Sequence, residues 1–333
     1  MRIFSGIQPT GRKHLGNYIG AIRQYVDGQE RGDPAIYCIV DLHAITVPHD
    51  PQALRRSVYD TLALLLAAGL DPDRCVLFRQ SDMPEHTELC WLLSAVTAYG
   101  DLTRMHQFKE KSQRQRELVS AGLFFYPVLQ AADILLYRTD EVPVGEDQRQ
   151  HLELARDVAE RFNARFGEIL TVPRHRIPEV GAKIMDLQDP TSKMSTTAES
   201  TAGVIFIDEE PDEIRRKVRA AVTDPGREIV RSSDKPGISN LIEIMAVVRG
   251  VNPADVEREF AGRGYAEFKQ AVAEAVVEFL RPVRERYREL RPDEEALERT
   301  LADGAERARE LARPVLADVR RAMGFGPAVR QPV

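Results

Sequence analysis

Three short runs constrain this chain more than anything else in it: RIFSGI (2–7), AIYCIVD (35–41) and CVLFRQS (75–81). The first is a short β-like run, the second is nearly all apolar and the third reads as a further strand; apolar strands joined by long crossovers are expected to be buried on both sides. Helical patterns lie between them. Residues 17–30 set Ile19, Ile22 and Val26 on one stripe, and residues 85–98 read as a further helix. A helix over 51–69 has Asp50 as its N-cap, Pro51 at its first position and Gly69 as its stop. Strand–helix alternation of this kind predicts an α/β chain with a parallel sheet covered on both faces. Such sheets bind ligands beyond the carboxyl ends of their strands, near the point where strand order reverses. Residues 6–16, 41–43 and 80–82 are therefore the first suspects.

The texture changes near residue 207. Helical patterns then dominate, at 211–222, 238–249, 265–290 and 293–323, and Pro282 and Pro314 are expected to kink or break the last two. The 333 residues thus divide into an expected first domain, 1–206, and an all-helical second domain, 207–333, whose last helix is expected to pack back on the first. The final residues, GFGPAVRQPV, are expected to fray.

Composition closes several routes. No run of about 18 apolar residues is present, so no membrane-spanning helix is expected. The chain starts in a strand-like run without a signal-peptide pattern. Cys38, Cys75 and Cys90 are odd in number and form no CxxC; Cys38 and Cys75, in apolar strand-like runs, read as buried free thiols, and the expected compartment is a reducing cytoplasm. The net charge of −6 confines any nucleic-acid contact to local basic patches. Two candidates are 104–116 and the helix bearing Arg281, Arg284, Arg286, Arg288 and Arg291, although charge alone favours solvated helix faces for both.

The first suspect loop is GIQPTGRKHLGN (6–17). Gly6 and Gly11 allow a turn and a close backbone approach, Gly16 sits where a helix begins, and Arg12, Lys13 and His14 supply donors and charge. That chemistry suits phosphates. The spacing is neither GxGxxG nor GxxxxGK[ST], so neither a dinucleotide fingerprint nor a P-loop is indicated, and the glycines alone fit a ligand-free turn equally well.

The HLGN within it (14–17) resembles the HIGH motif of class I aminoacyl-tRNA synthetases, with Asn17 in place of the last histidine. IFSGIQPTG and HLGNYIGA together are similar to the tryptophanyl branch of that family. A second motif of the family, KMSKS, is matched by DPTSKMSTT (189–197) at Lys193, Met194 and Ser195. Thr196 stands where the family has its second lysine and Thr197 where it has a serine. Loss of one preorganised charge commonly costs roughly 10²–10³ in rate. Arg12, Lys13, Lys111 and Lys193 are the cations that could compensate.

A helix over SAGLFFYPVLQAADILLYRTD (120–140) is expected to start at Pro127. Tyr126, Gln130 and Asp133 are spaced i, i+4, i+7 and share one face of an otherwise apolar segment. A buried Asp133 needs a partner, and a structural ion pair would serve. The resemblance supplies another, because YPxLxAADILLY matches the tryptophanyl helix whose aspartate accepts the indole N–H. VPVGEDQRQHLELARDVAERFN (142–163) is the longest close match. Glu146 and Asp147 read locally as favourable first-turn charges.

The resemblance to bacterial tryptophanyl-tRNA synthetases runs from Ile3 to about Phe325. It implies a Rossmann-like catalytic domain and a helical domain that reads the anticodon. It also implies activation of L-tryptophan by ATP with magnesium (Mg2+), transfer to tRNA(Trp), and a homodimer. The implied catalytic residues are His14, Asn17, Lys111, Lys193 and Ser195. Gln8, Thr10, Gly16, Asn17, Gly145, Asp147, Ile184, Lys193 and Met194 would hold ATP. Phe4, Gln8, His43, Tyr126, Gln130, Asp133 and Gln148 would hold tryptophan. Without the family, His43 reads as a strand-end residue capping a backbone group. The alternative that Thr196 raises is a synthetase-like paralogue, weak in aminoacylation, that binds tryptophan or a nucleotide and serves a partner protein.

Overall fold

The computed structural model describes residues 1–32, 34–105, 119–143, 148–176, 183–195 and 200–326. Five strands, β1 (Ile3–Ile7), β2 (Ala35–Ile39), β3 (Val76–Arg79), β4 (Glu141–Pro143) and β5 (Arg174–Arg176), form a parallel sheet in the order β3-β2-β1-β4-β5. The order reverses between β1 and β4, so the carboxyl end of β1 opens into the crevice where α/β sheets bind ligands. The arrangement is the Rossmann-like one expected. The apolar runs account for β1 to β3, whereas β5 is Arg-His-Arg and carried no such signal.

Side-chain alternation divides the sheet into two buried faces. Ile3, Tyr37, Ile39 and Leu77 point into one apolar cluster, and Phe4, Ile36, Cys38, Val76 and Phe78 into the other. The first face is covered by the Pro51–Ala67 helix, which Asp50 caps by accepting the Ala53 N–H at 2.6 Å. The same cluster continues through Ile214, Leu241, Phe268 and Leu280 of the helical part. The second face is covered by the helices Pro84–Ser94, Ala121–Leu135 and Arg149–Phe166.

The last helix, Glu294–Ala322, belongs to both clusters, with Leu297 and Leu301 in the first and Ala305 to Val319 in the second. Gly304 allows this: a β-carbon there would lie 1.8 Å from the Leu77 carbonyl oxygen, so the helix rests directly on the backbone of β3.

Pro127, Pro282 and Pro314 all sit inside continuous helices, Ala121–Leu135, Tyr265–Leu290 and Glu294–Ala322. The expected helix start at Pro127 and the expected breaks at the other two are corrected accordingly. Burial of both helix flanks outweighs the one backbone hydrogen bond each proline removes. The true start of the first is Ser120, whose Oγ accepts the Leu123 N–H at 3.1 Å. No helix among the described residues is long and apolar enough to cross a membrane.

Candidate functional site

His14 and Asn17 are bonded to each other. His14 Nδ1 accepts the Asn17 N–H at 3.3 Å, and Asn17 Oδ1 accepts the His14 N–H at 3.1 Å, a reciprocal cap at the start of the first helix. Burial, with the charges of Lys193 and Lys13, lowers the His14 pKa to about 4, so at neutral pH its Nδ1 stays an acceptor. A β-carbon on Gly16 would come within 3.1 Å of the His14 ring and 3.8 Å of the Ile184 side chain. The helix then passes through a π-helical turn, Tyr18–Ile22, before Arg23–Glu30. Downstream chain holds the loop in place: the Leu15 N–H donates to the Ile205 carbonyl at 2.8 Å, and the Ile207 N–H to the Lys13 carbonyl at 3.0 Å.

The second motif lies against the first. Met185 and Lys193 face each other across an antiparallel hairpin, with the Met194 N–H on the Ile184 carbonyl (3.1 Å) and the Asp186 N–H on the Ser192 carbonyl (2.9 Å). Asp189 closes its tip by accepting the hydroxyls of Thr191 and Ser192, each at 2.6 Å. Ile184 and Met194 are buried, Ser195 is half-buried and Lys193 is exposed. His14 and Lys193, 179 positions apart in sequence, thus come within electrostatic reach.

The proposed compensating cations differ in what they already do. Arg12 is spoken for, paired with Asp208 at 2.8 Å and lying 4.1 Å above the Phe206 ring. Lys13 donates to the carbonyls of Gln8 (2.7 Å) and Thr10 (3.1 Å), and burial lowers its pKa to about 8. The Gln8 and Thr10 side chains are exposed beside the loop. Lys111, Gly145, Asp147, Thr196 and Thr197 lie outside the described residues.

At the other end of the crevice stands Asp133, 1% exposed. Its Oδ1 accepts from Gln80 Nε2 at 2.7 Å and from His86 Nδ1 at 2.6 Å, and its Oδ2 is 2.7 Å from His43 Nε2. Burial by itself would raise the Asp133 pKa. His43 and His86 outweigh it and hold the carboxyl well below the usual carboxylate range. The structural partner that the sequence demanded is therefore present, and it is double. Gln80 follows β3, His43 follows β2, and Gln80 Oε1 also accepts the Leu42 N–H at 3.1 Å, so two strand ends aim at one acid. His43 caps no backbone group through its ring; Asp133 takes its Nε2.

Tyr126, Gln130 and Asp133 do share one face of the Ala121–Leu135 helix, with Gln130 half-buried. The Tyr126 hydroxyl is 2.8 Å from His151 Nε2, burial pushes its pKa up to about 12, and the His43 ring stands edge-on to it at 6.2 Å. Phe4 stacks on Tyr137 at 5.7 Å, and Gln148 opens the Arg149–Phe166 helix.

Gln80 falls among the strand-end suspects at 80–82, whereas His86, Tyr137 and His151 were not singled out in the sequence. His86 carried a usable signal, since it shares a helical stripe with Leu89, Cys90 and Leu93, all buried, where a lone polar residue needs a partner.

On the basic stripe at 281–291, Arg281 pairs with Glu278, Arg286 with Glu289, Arg288 with Glu210 and Arg291 with Asp60, while Arg284 is buried. Surface pairs of this kind are weak, so the stripe stands both as a solvated helix face and as a candidate nucleic-acid contact. Of the other stripe, Arg104 pairs with Asp101 at 2.5 Å and residues 106–118 lie outside the described part.

Residues 1–281 match the family described as tRNA synthetases class I (W and Y). The chain is 52% identical over 330 residues to tryptophan–tRNA ligase 2 of Streptomyces avermitilis, covering 98% of each. Tryptophanyl-tRNA synthetase from Mycoplasma pneumoniae superposes with a TM-score of 0.88 at 36% identity, covering 98% of each chain. The Campylobacter jejuni tryptophanyl-tRNA synthetase complexed with ADP and tryptophan gives 0.85 at 34% identity, covering 98% of this chain and all of that one, 100%.

Proposed function

The chain belongs to the class I tRNA synthetases of tryptophan and tyrosine, and from that premise we propose that it is a tryptophan–tRNA ligase. The tryptophan carboxylate attacks the α-phosphorus of ATP in line, and pyrophosphate leaves. A ribose hydroxyl at the 3′ end of tRNA(Trp) then attacks the activated carbonyl, and AMP leaves. Neither step needs a side-chain nucleophile, so catalysis is positioning and charge stabilisation.

One observation carries the reading: the HLGN turn with its facing hairpin and the Asp133 cluster both lie at the carboxyl ends of the strands, on one edge of the sheet. His14, Gly16 and Asn17 meet the Ile184–Lys193 hairpin beyond β1, and Asp133 gathers the ends of β2 and β3. A carboxylate offers about four acceptor positions, and three on Asp133 are taken, which leaves one on Oδ2 for an indole N–H.

The site roles are proposals on this frame. His14, Gly16, Asn17, Gln8 and Thr10 cradle the nucleotide, Ile184 and Met194 flank its base, and Gly145 with Asp147 takes its ribose. Lys193, Ser195 and Lys111 stabilise the phosphates as charge develops. Asp133 reads the indole, Tyr126 and Gln148 the α-amino group, and Phe4, His43 and Gln130 form the wall. Magnesium would neutralise phosphate charge. Among the described residues no cluster of three or more His, Cys, Asp or Glu is placed to cage it, so nucleotide oxygens would supply its ligands.

The division of labour between residues 1–206 and the tRNA-reading helical residues 207–333 is likewise proposed. A homodimer fits the exposed aromatics Trp91 (73%) and Tyr99 (74%), the latter packed on Phe124 at 5.7 Å. Three buried unpaired thiols fit the cytoplasm. Among the described residues no feature of the site favours the partner-serving paralogue; Thr196, which raised it, lies outside them.

The test is tryptophan-dependent exchange of labelled pyrophosphate into ATP, with tyrosine and phenylalanine as controls. Exchange with tryptophan alone is expected. A folded, ATP-binding protein that exchanges with none of the three overturns the proposal.

A further inference from the structure

We propose that Asn240 is a positioning residue that sets the Lys193 hairpin from the helical part of the chain, an inference that rests on the synthetase reading. In the hairpin, residues 184 and 186 spend their polar backbone groups on 194 and 192. Met185 is the non-bonded member of the facing pair, so its N–H and C=O point outward, away from Lys193. Left alone, both would be orphans beside an apolar core.

Asn240 takes both. It lies on the Pro236–Arg249 helix and is 4% exposed. Its Oδ1 accepts the Met185 N–H at 2.9 Å, and its Nδ2 donates to the Met185 carbonyl at 2.9 Å. One orientation of the carboxamide satisfies both bonds, so the side chain acts as one more residue of strand beside the hairpin. Two further bonds join the hairpin to the same part of the chain: the Val222 N–H to the Leu187 carbonyl (2.7 Å) and Gln188 Nε2 to the Ala220 carbonyl (3.0 Å).

The consequence is directional. Met185 faces Lys193, and Ile184 abuts Gly16 of the HLGN turn, so Asn240 reaches the nucleotide end of the crevice through one backbone unit. The Asp133 end takes its partners from the ends of β2 and β3 and from the Pro84–Ser94 helix instead. Asn240 therefore governs the fit of ATP and leaves the fit of tryptophan alone.

Asn240→Asp keeps the size and one acceptor but turns an anionic oxygen against the Met185 carbonyl; Asn240→Ala removes both bonds. In pyrophosphate exchange, the KM for ATP is expected to rise roughly tenfold in each, the scale of losing a buried hydrogen bond, with the KM for tryptophan within about twofold of the parent. Calorimetric ATP binding should weaken in parallel. A folded Asn240→Asp with parental ATP affinity overturns the inference, as does an equal rise in both KM values, which marks a general structural role. If Asn240→Ala does not fold, Asn240→Asp decides. If the parent binds ATP but exchanges no pyrophosphate, the synthetase reading falls, and calorimetry alone judges Asn240.

Discussion

His86 Nδ1 lies 2.6 Å from Asp133 Oδ1, while its Nε2 lies 2.6 Å from the Tyr137 hydroxyl. An ionised Asp133 receives a proton from Nδ1, and the same ring meets the tyrosine hydroxyl at Nε2. Tyr137 in turn lies face to face with Phe4, so the acid is oriented through His86 and Tyr137 onto the residue proposed as part of the tryptophan wall. His86 is wholly buried, at 0% exposure. In the proposed site, this fixed, charged acceptor would distinguish an indole from an aromatic ring without an N–H.

His86→Asn should therefore weaken tryptophan more than ATP. Loss of one hydrogen bond to a charged group is about 1.5–3 kcal/mol, so the KM for tryptophan should rise on the order of tenfold or more, with rejection of phenylalanine relaxed. Steady-state exchange kinetics with both amino acids measure this. Parental values for both would remove His86 from the recognition chain.

Asp133→Asn should destabilise the fold as well as abolish recognition. Three donors converge on the carboxylate, and the amide would present N–H to at least one of them. Breaking a buried, paired charge costs about 3–5 kcal/mol. Urea unfolding should report a midpoint shift of that scale, and an unchanged midpoint would mean that the network relaxes freely.

Lys193→Ala should act in the opposite way. The side chain is exposed, so unfolding should be unaffected, while exchange falls by roughly 10²–10³ if it stabilises the leaving phosphates. A variant as fast as the parent would assign that work to other cations.

His14 predicts an acid-side loss of stability. Its folded pKa of about 4 lies below the ordinary histidine value of 6.5, so between these values the unfolded chain binds the extra proton. Its contribution is fully present above pH 6.5 and is lost as pH falls through 4. His14→Gln should flatten this part of the stability–pH curve relative to the parent, and superimposable curves would show that His14 protonates without strain.

Gly304→Ala should loosen the last helix. The added carbon meets backbone at 1.8 Å, so the helix must lift from β3; overpacking commonly costs about 1–3 kcal/mol, and rigid backbone puts this site at the upper end. Thermal unfolding would register it, and a parental melting temperature would mean that the helix shifts at no cost.

The parallel sheet, the caps at Asp50 and the HLGN and KMS motifs were legible because each is written in local chemistry: burial on two faces, a side chain that can bond the next turn, residues within one loop. Asp133 was legible as an acid in need of partners. The identities of those partners were not, because His43, Gln80 and His86 lie 90, 53 and 47 residues away and adjoin only when the strands are in register. For the same reason, Pro282 and Pro314 looked like helix breakers when the packing that carries their helices through was out of view.

By itself the sequence determined the alternation of strands and helices, the polar face of the Asp133 helix and the family to which its motifs point. Only the tertiary structure decided that Arg12 pairs with Asp208, Arg288 with Glu210 and Arg291 with Asp60, and that Asn240 holds Met185. The physical reason is range. Propensity and periodicity act over a few residues, whereas a buried polar group is satisfied by whichever partner the whole fold brings within about 3 Å, at any distance along the chain.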